Sequence, residues 1–295
     1  MKYLAIVLAC LIGPAYAQEQ PPEEKPPEGE KPPEEGAPAE GESEEEDPPS
    51  KAPAAIVVMD PKKILGDLTL ANAAKDTTGI DVAVKEALAW SKGPKDETLV
   101  EPMATELATA IKHSKGNWGT LNAIAEALGE LRSKDGAKTL KKLALKKEAK
   151  DESEERLQAT AIVALSKYAD TKEIEAFGEM GQSKSVLVAK AAYTAFGSYG
   201  TAKGKVRRTC AELLMKRLDA EFPSSGGQGG GGGVSKEKQE RWAEVSPAIV
   251  TSMKALCGPD TQTLNDVENW REWWKENKKN PKASAWKDED EKESS

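Results

Sequence analysis

The hydrophobic positions of this chain recur with the period of an α-helix and are interrupted by short polar turns. Around the stretch ATAIVALSKYADTKEI, apolar residues stand at i, i+4, i+7, i+8 and i+11: Leu157, Ala161, Ala164, Leu165 and Tyr168. This spacing places them on one face of a helix. Asp170 follows as a predicted N-cap of a second helix, which contains Ile174 and Phe177. The pattern therefore predicts two successive helices with apolar faces to bury.

The same pattern recurs along the chain. Four segments end alike, EALAWSKGPKDE, EALGELRSKDGA, VALSKYADTKEI and TAFGSYGTAKGK, and each carries alanine at its second position. These alanines are 87, 127, 164 and 195, so that successive copies lie 40, 37 and 31 residues apart, as in repeats of paired helices. A fifth copy, KALCGPDTQTL, begins at Lys254. Asp96 and Asp135 are predicted to cap the helices that follow the first two copies.

The ends of the repeated region are also patterned. Asp60 and Pro61 predict a first helix, with aspartate as the cap and proline at the first helical position. Residues 223–235, PSSGGQGGGGGVS, predict a flexible loop, because they carry almost no side chains that could pack. Beyond this loop, Ser246 and Pro247 read as the start of a further helix.

Tryptophan is concentrated near the C-terminus, in NDVENWREWWKENKK. At 100° per residue, Val267, Trp270 and Trp274 share a face that we expect to cover the end of the helical region. Trp273 lies at the edge of this face. It is therefore the aromatic residue most available to a partner, although partial packing is the more ordinary role.

ALSKYADTKEI and ALGELRSKDGAKTL resemble HEAT repeats of the phycobilisome-lyase-like type, in which an alanine-rich helix, a turn and a second helix alternate. The resemblance covers about residues 79–222 and, more loosely, 246–279. The Trp-rich last helix is similar to the terminal caps of exported bacterial HEAT proteins. The resemblance implies an all-α fold, an α-solenoid of about five helix pairs. It implies no ligand, because packing residues define the family.

Composition divides the chain further. Residues 1–17 contain Lys2, an apolar run and an Ala15-Tyr16-Ala17 site, which together predict a removed export signal. Residues 18–53 hold thirteen acidic residues, three lysines and ten prolines, and predict a disordered tail of net charge −10. Helical repeats are expected over 54–222, a C-terminal repeat with its Trp-rich cap over 236–280, and a second disordered acidic tail over 281–295.

Residue types that carry chemistry are scarce. The single histidine, His113, is expected at a helix end and on the surface. No sequence motif for haem, zinc, calcium or a serine nucleophile is present, so neither a cofactor nor a metal is expected. Cys210 and Cys257 remain after signal removal. They are either bridged, as an oxidising compartment would permit, or two small buried helix residues.

Lysines cluster in KTLKKLALKKEAK, residues 138–150, around a predicted apolar face. Lys141, Lys142 and Lys146 are candidate contacts for an acidic protein, an acidic polysaccharide or the chain's own tail, while a merely solvated helix face is the alternative. Nucleic acid is not expected, because residues 54–295 carry a net charge of only about +1 and no aromatic residues separate these lysines. No segment after the signal approaches the ~20 apolar residues of a membrane span.

These observations favour an exported, periplasmic or extracellular, non-catalytic scaffold. We expect it to bind a protein or another polymer along a surface made by the second helix of each repeat. The alternatives are a structural component of the cell envelope without a specific partner and a subunit of an extracytoplasmic enzyme complex.

Overall fold

The computed structural model describes residues 60–146, 149–223, 234–280 and 284–287. These residues belong to one compact unit, which spans Ile56–Ser295. The predicted signal peptide and acidic N-terminal tail, residues 224–233 of the Gly-rich segment, and residues 288–295 lie outside the described residues.

The described part of the chain is all-helical, with eleven α-helices, three short 3-10 helices and no strand. The α-helices are α1 Pro61–Ala74, α2 Thr77–Ser91, α3 Glu97–His113, α4 Trp118–Leu131, α5 Lys134–Ala144, α6 Glu152–Ser166, α7 Ile174–Met180, α8 Val186–Gly197, α9 Gly204–Glu221, α10 Lys236–Cys257 and α11 Val267–Asn277. The 3-10 helices are Thr171–Glu173, Pro259–Thr261 and Ser284–Trp286. Among the described helices, none has both the length and the apolar character that a membrane span requires.

Side-chain caps begin most of these helices. The predicted caps Asp60 and Asp96 are confirmed: each accepts a hydrogen bond from the backbone N–H two residues ahead. Asp170 caps the 3-10 helix that leads into α7. The prediction for Asp135 is wrong, because Ser133 is the N-cap of α5. Asp135 lies in the first turn instead, where its charge is favourable at the positive end of the helix dipole.

Contacts between helices follow a regular order. The even-numbered helices contact one another in sequence, from α2 through α4, α6 and α8 to α10. Each of them also packs on the odd-numbered helix that precedes it, which makes five pairs from α1–α2 to α9–α10. The sequence pattern had paired each even-numbered helix with the odd-numbered helix that follows it. In the structure the pairs consist of each even-numbered helix and the odd-numbered helix that precedes it. α11 follows the fifth pair and contacts α9.

The repeated alanines lie where these helices meet. Ala87, Ala127, Ala164 and Ala195 are all buried. Ala164 of α6 touches Gly129 of α4, two residues beyond the alanine of that copy. Small residues at this crossing let the two helix backbones approach closely.

The fifth copy has a shifted register. Between α8 and α10 the same type of contact is made by Gly197 and Ser252. Ser252 stands three residues before Ala255, which the sequence pattern aligns with the other alanines, and Ala255 is exposed. The alignment of this copy is therefore wrong by about one helical turn.

Two tyrosines at matching positions tie neighbouring repeats together. Tyr168, four residues after Ala164, donates its hydroxyl hydrogen to Leu128 O at 2.8 Å. Tyr199, four residues after Ala195, donates to Asp170 O at 2.7 Å. Each hydroxyl thus bonds to a backbone carbonyl in the segment of the preceding alanine, but the acceptors are not equivalent: Leu128 follows Ala127 by one residue, and Asp170 follows Ala164 by six.

The C-terminal boundary needs a correction. Residues 281–295 were predicted as a disordered tail, but Ser284–Trp286 form a 3-10 helix in which Ala285 and Trp286 are buried. Trp286 lies against α11, and its Nε1 donates to Asn277 O at 3.1 Å. Charged residues surround this short apolar stretch, so the composition of residues 281–295 does not indicate a buried element.

Candidate functional site

The lysine-rich helix α5 buries its apolar side and exposes its cations. Leu140 and Ala144 are buried, whereas Lys141, Lys142 and Lys146 are exposed. Leu140 and Ala144 lie one turn apart on the buried side, so Lys141 and Lys142 between them face outward, whereas Lys146 follows the end of α5. This arrangement agrees with the amphipathic pattern in the sequence.

Two of these lysines already have acidic partners within the chain. Lys141 Nζ lies 2.8 Å from a carboxylate oxygen of Glu173. The hydrogen bond to Glu173 raises the pKa of Lys141. Lys146 Nζ lies 2.6 Å from Glu154, whose pKa is lowered by this hydrogen bond. Of the three candidate lysines, Lys142 is therefore the one without an ion pair in the described part of the chain. The charge that α5 offers to an anionic polymer is smaller than its sequence suggests.

The tryptophans near the C-terminus form one cluster of four. Trp270 is fully buried, and its ring meets that of Trp273 edge to face at 5.8 Å. Trp286 lies 5.9 Å from Trp273 and 6.2 Å from Trp274, also edge to face. These separations and angles are those that aromatic pairs prefer. Trp273 is thus held between two other rings, an arrangement typical of packing.

The predicted face of α11 is partly correct. Val267 and Trp270 are buried, as the helical phase required. Trp274 is only half-buried, as Trp273 is. Trp286, which the sequence pattern had not placed in the core, packs against both rings.

Cys210 on α9 and Cys257 on α10 are free thiols in the structure, and both are buried. This corresponds to the second of the two alternatives for these residues. Burial raises the pKa of Cys210 to about 12 and raises that of Cys257 further. Both thiols therefore stay protonated near neutral pH, and a protonated, buried thiol is a poor nucleophile.

A polar network that the sequence analysis missed joins α8, α9 and α10. The guanidinium of Arg241 contacts both carboxylate oxygens of Glu221 at 2.8 Å. Tyr193 donates its hydroxyl hydrogen to Gly181 O at 2.6 Å and lies 3.0 Å from Glu221. Glu221 ends α9 and Arg241 lies in the second turn of α10, so the ion pair joins the two sides of the Gly-rich segment. The only sign of this ion pair in the sequence is that an acidic residue, Glu221, precedes the Gly-rich segment and a basic residue, Arg241, follows it.

The pKa shifts of this network follow from its partners. Burial opposes the ionisation of Glu221, but the hydrogen bonds and charge of Arg241 outweigh it, and the pKa of Glu221 is lowered. Burial also raises the pKa of Tyr193, and the nearby negative charge of Glu221 raises it further. Glu221 is consequently charged and Tyr193 neutral at physiological pH. Neither group is poised to exchange a proton there, so the network is better suited to joining helices than to acid–base catalysis.

Two shallow depressions lie on the described surface. One, of about 380 Å³, lies between α1 and α3. Another, of about 430 Å³, lies where α3, α4 and α5 meet and includes Glu101, Glu130 and Arg132. His113 ends α3 and lies in neither depression. Among the described residues, no three His, Cys, Asp or Glu side chains come together as metal ligands.

No family model, no curated protein and no solved structure matches the chain.

Proposed function

We propose that this protein is an exported, non-catalytic scaffold of the HEAT-repeat type, which binds a protein or another polymer along its helices. The proposal is supported chiefly by the ordered contacts of the even-numbered helices, each packed on its preceding odd-numbered helix. Such an order is typical of an α-solenoid, in which every repeat contacts its neighbours and a long surface stays open for binding.

The odd-numbered helices are the proposed binding side. The exposed residues of α5 and α7 are mostly charged and opposite in sign: Lys134 and Lys142 lie on α5, and Glu175 and Glu179 lie on α7. Neighbouring helices of opposite charge fit a partner with its own charge pattern better than a uniformly anionic polymer. The ion pairs of Lys141 and Lys146 also favour a protein partner over an acidic polysaccharide.

The test begins with capture of partners from an envelope extract on the immobilised exported chain. A purified partner is then titrated against a double charge reversal on α5, Lys134→Glu with Lys142→Glu. Glu126→Lys, at an exposed position on the even-numbered helix α4, is the matched control. We expect the α5 variant to weaken binding at least about tenfold and the control to change it less than about twofold.

Two results would contradict this proposal and separate the alternatives. The absence of a saturable partner would favour a structural component of the envelope. An enzymatic activity that one point substitution abolishes, in a chain that stays folded, would favour the enzyme subunit.

A further inference from the structure

The first helix, α1, carries the most exposed large apolar residue of the described region. Leu70 is 70% exposed. Gly66 lies one turn before it and Ala73 one turn after it, and both are exposed. α1 packs on α2 and α3 through other residues, among them Ile64 and Leu68. In a chain of stacked helices, the outer side of the first helix remains in water unless another segment covers it.

A shallow groove runs beside this side of α1. Its walls are Leu65 and Thr69 from α1 and Glu101, Pro102, Thr105 and Glu106 from α3. The hydroxyls of Thr69 and Thr105 donate to carbonyls of their own helices, at 2.8 and 3.0 Å. The two threonines are thus satisfied within their helices. The two carboxylates also have partners, since Glu101 accepts from Lys134 N and Glu106 accepts from Asn72 Nδ2. The polar groups of the groove are therefore already hydrogen-bonded, which leaves its apolar surface to be covered.

We propose that the segment Ile56–Met59 of this chain folds back along α1 and occupies the groove between α1 and α3. Its sequence, IVVM, directly precedes the capping residue Asp60. Residues 18–53 contain no aliphatic side chain larger than alanine, so this segment is the apolar stretch nearest to the groove on the N-terminal side. Burial of its side chains would offset the cost of ordering a short segment.

The length of the segment fits the groove. Four residues in extended conformation span about 13 Å. From Pro61 to Thr69 the axis of α1 rises by about 12 Å. A segment that turns back at Asp60 therefore reaches the level of Thr69 and Leu70.

The start of α1 turns the chain in the required direction. Asp60 is extended, with φ −83° and ψ 106°, and its side chain caps the helix. At such a start, an apolar residue before the cap packs against the fourth helical residue, here Met59 against Ile64. Because side chains of an extended segment alternate in direction, Val57 shares the side of Met59, and Val58 points the other way.

Two point variants of the exported chain test the inference. We expect Val57→Asp to lower the melting temperature by at least about 4 °C, because a carboxylate would enter the groove. Val58→Asp should lower it clearly less, and Ala52→Asp, a matched change within the acidic tail, should leave it unchanged. Equal effects of the three substitutions would overturn the inference.

Hydrogen exchange gives a second, independent readout. In the unaltered chain, the amides of residues 57–59 should exchange at least about tenfold more slowly than those of residues 48–52, and Val57→Asp should remove this protection. Unprotected amides would overturn the proposal. A dimer in solution that Leu70→Glu dissociates would also overturn it, since a second copy would then cover this side of α1. Neither result depends on whether the protein binds a partner, so failure here leaves the proposed function standing.

Discussion

Gly129 of α4 lies so close to Ala164 of α6 that a Cβ atom at Gly129 would stand 2.7 Å from the Cβ of Ala164 and 2.8 Å from its Cα. The Cα of Ala164 is part of the α6 backbone, and its methyl group is fixed to that backbone. Neither can swing aside as the end of a long side chain could. The separation of α4 and α6 therefore depends on the absence of a side chain at residue 129.

We predict that Gly129→Ala destabilises the protein by about 1 to 3 kcal/mol, because the two helices must move apart. This loss is expected despite the gain of about 1 kcal/mol in helix propensity. Gly66→Ala on α1 is the matched control, since a Cβ there meets nothing within 4 Å. The control should stabilise by about 0.5 to 1 kcal/mol. Urea unfolding of both variants measures the difference, and a stabilising Gly129→Ala would show that α6 can relax.

The two tyrosines that join neighbouring repeats donate to carbonyls that differ in exposure, and their variants should differ accordingly. Leu128 is fully buried, whereas Asp170 is exposed. Tyr168→Phe leaves the buried carbonyl of Leu128 with only the longer hydrogen bond from Arg132 N, at 3.3 Å, which should cost about 1 to 3 kcal/mol. Tyr199→Phe should cost about 1 kcal/mol or less, because water can reach the freed carbonyl of Asp170. Equal losses in denaturant unfolding would contradict this account.

Alkaline pH should lower the stability of the fold through buried tyrosine and cysteine side chains. Burial raises the pKa of Tyr193 and Tyr199 well above the ordinary value, and that of Cys210 to about 12. The folded chain then keeps protons that the unfolded chain loses, near pH 8.5 for cysteine and near pH 10 for tyrosine. This contribution to stability is fully present below about pH 8 and declines as the pH rises. The free energy of unfolding from pH 8 to 11 should fall less steeply for Tyr199→Phe than for the unaltered chain.

The ion pair between Glu221 and Arg241 should be worth more than those on the surface, because its side chains are only 14% and 22% exposed. Glu221→Gln leaves a largely buried guanidinium without a counter-charge. We expect a loss of about 2 kcal/mol, between the values for exposed and for fully buried pairs. Glu212→Gln, which removes an exposed pair with Lys216, is the control and should cost less than about 0.5 kcal/mol.

The same pair predicts a loss of stability in acid. Since the pKa of Glu221 is lowered in the folded chain, its stabilising effect is present above the unfolded value of about 4.3. It is lost as the pH falls through the folded pKa. Unfolding measured between pH 3 and 6 should therefore show a smaller acid-induced decline for Glu221→Gln. An identical decline in both chains would show that other carboxylates account for it.

The four residues of the tryptophan cluster differ in burial, and the cost of replacing each should follow that order. Trp270 is fully buried and Trp286 is 6% exposed, while Trp273 and Trp274 are half-buried. Trp270→Ala should cost about 3 to 5 kcal/mol and Trp286→Ala nearly as much. Trp273→Ala and Trp274→Ala should each cost clearly less. If Trp286→Ala proved neutral in denaturant unfolding, the C-terminal 3-10 helix would not contribute to the core.

The sequence by itself determined the helical character of the described region and most helix starts. Helical period and capping are local properties: the spacing of Ala161, Ala164 and Leu165 marks a buried face, and Asp60 or Asp96 marks a start, whatever lies nearby. The buried alanines 87, 127, 164 and 195 were found in the same way. The distinction between Ser133 and Asp135 was missed because both are good caps and only the backbone path chooses between them.

Tertiary structure decided which residues meet. Ser246 and Pro247 were expected to begin a helix, yet α10 continues through them. Pro247 has no N–H to donate to the carbonyl of Ala243. Ala243 is exposed, so water can bind this carbonyl and the helix is not interrupted. Ser252 rather than Ala255 meets Gly197 because the crossing of α8 and α10 sets that register. Trp286 joins the tryptophans of α11, and Glu221 joins Arg241, across segments whose composition gives no periodic signal. Local pattern determines the helices, whereas the partners of each buried group depend on helix crossings that only the folded chain defines.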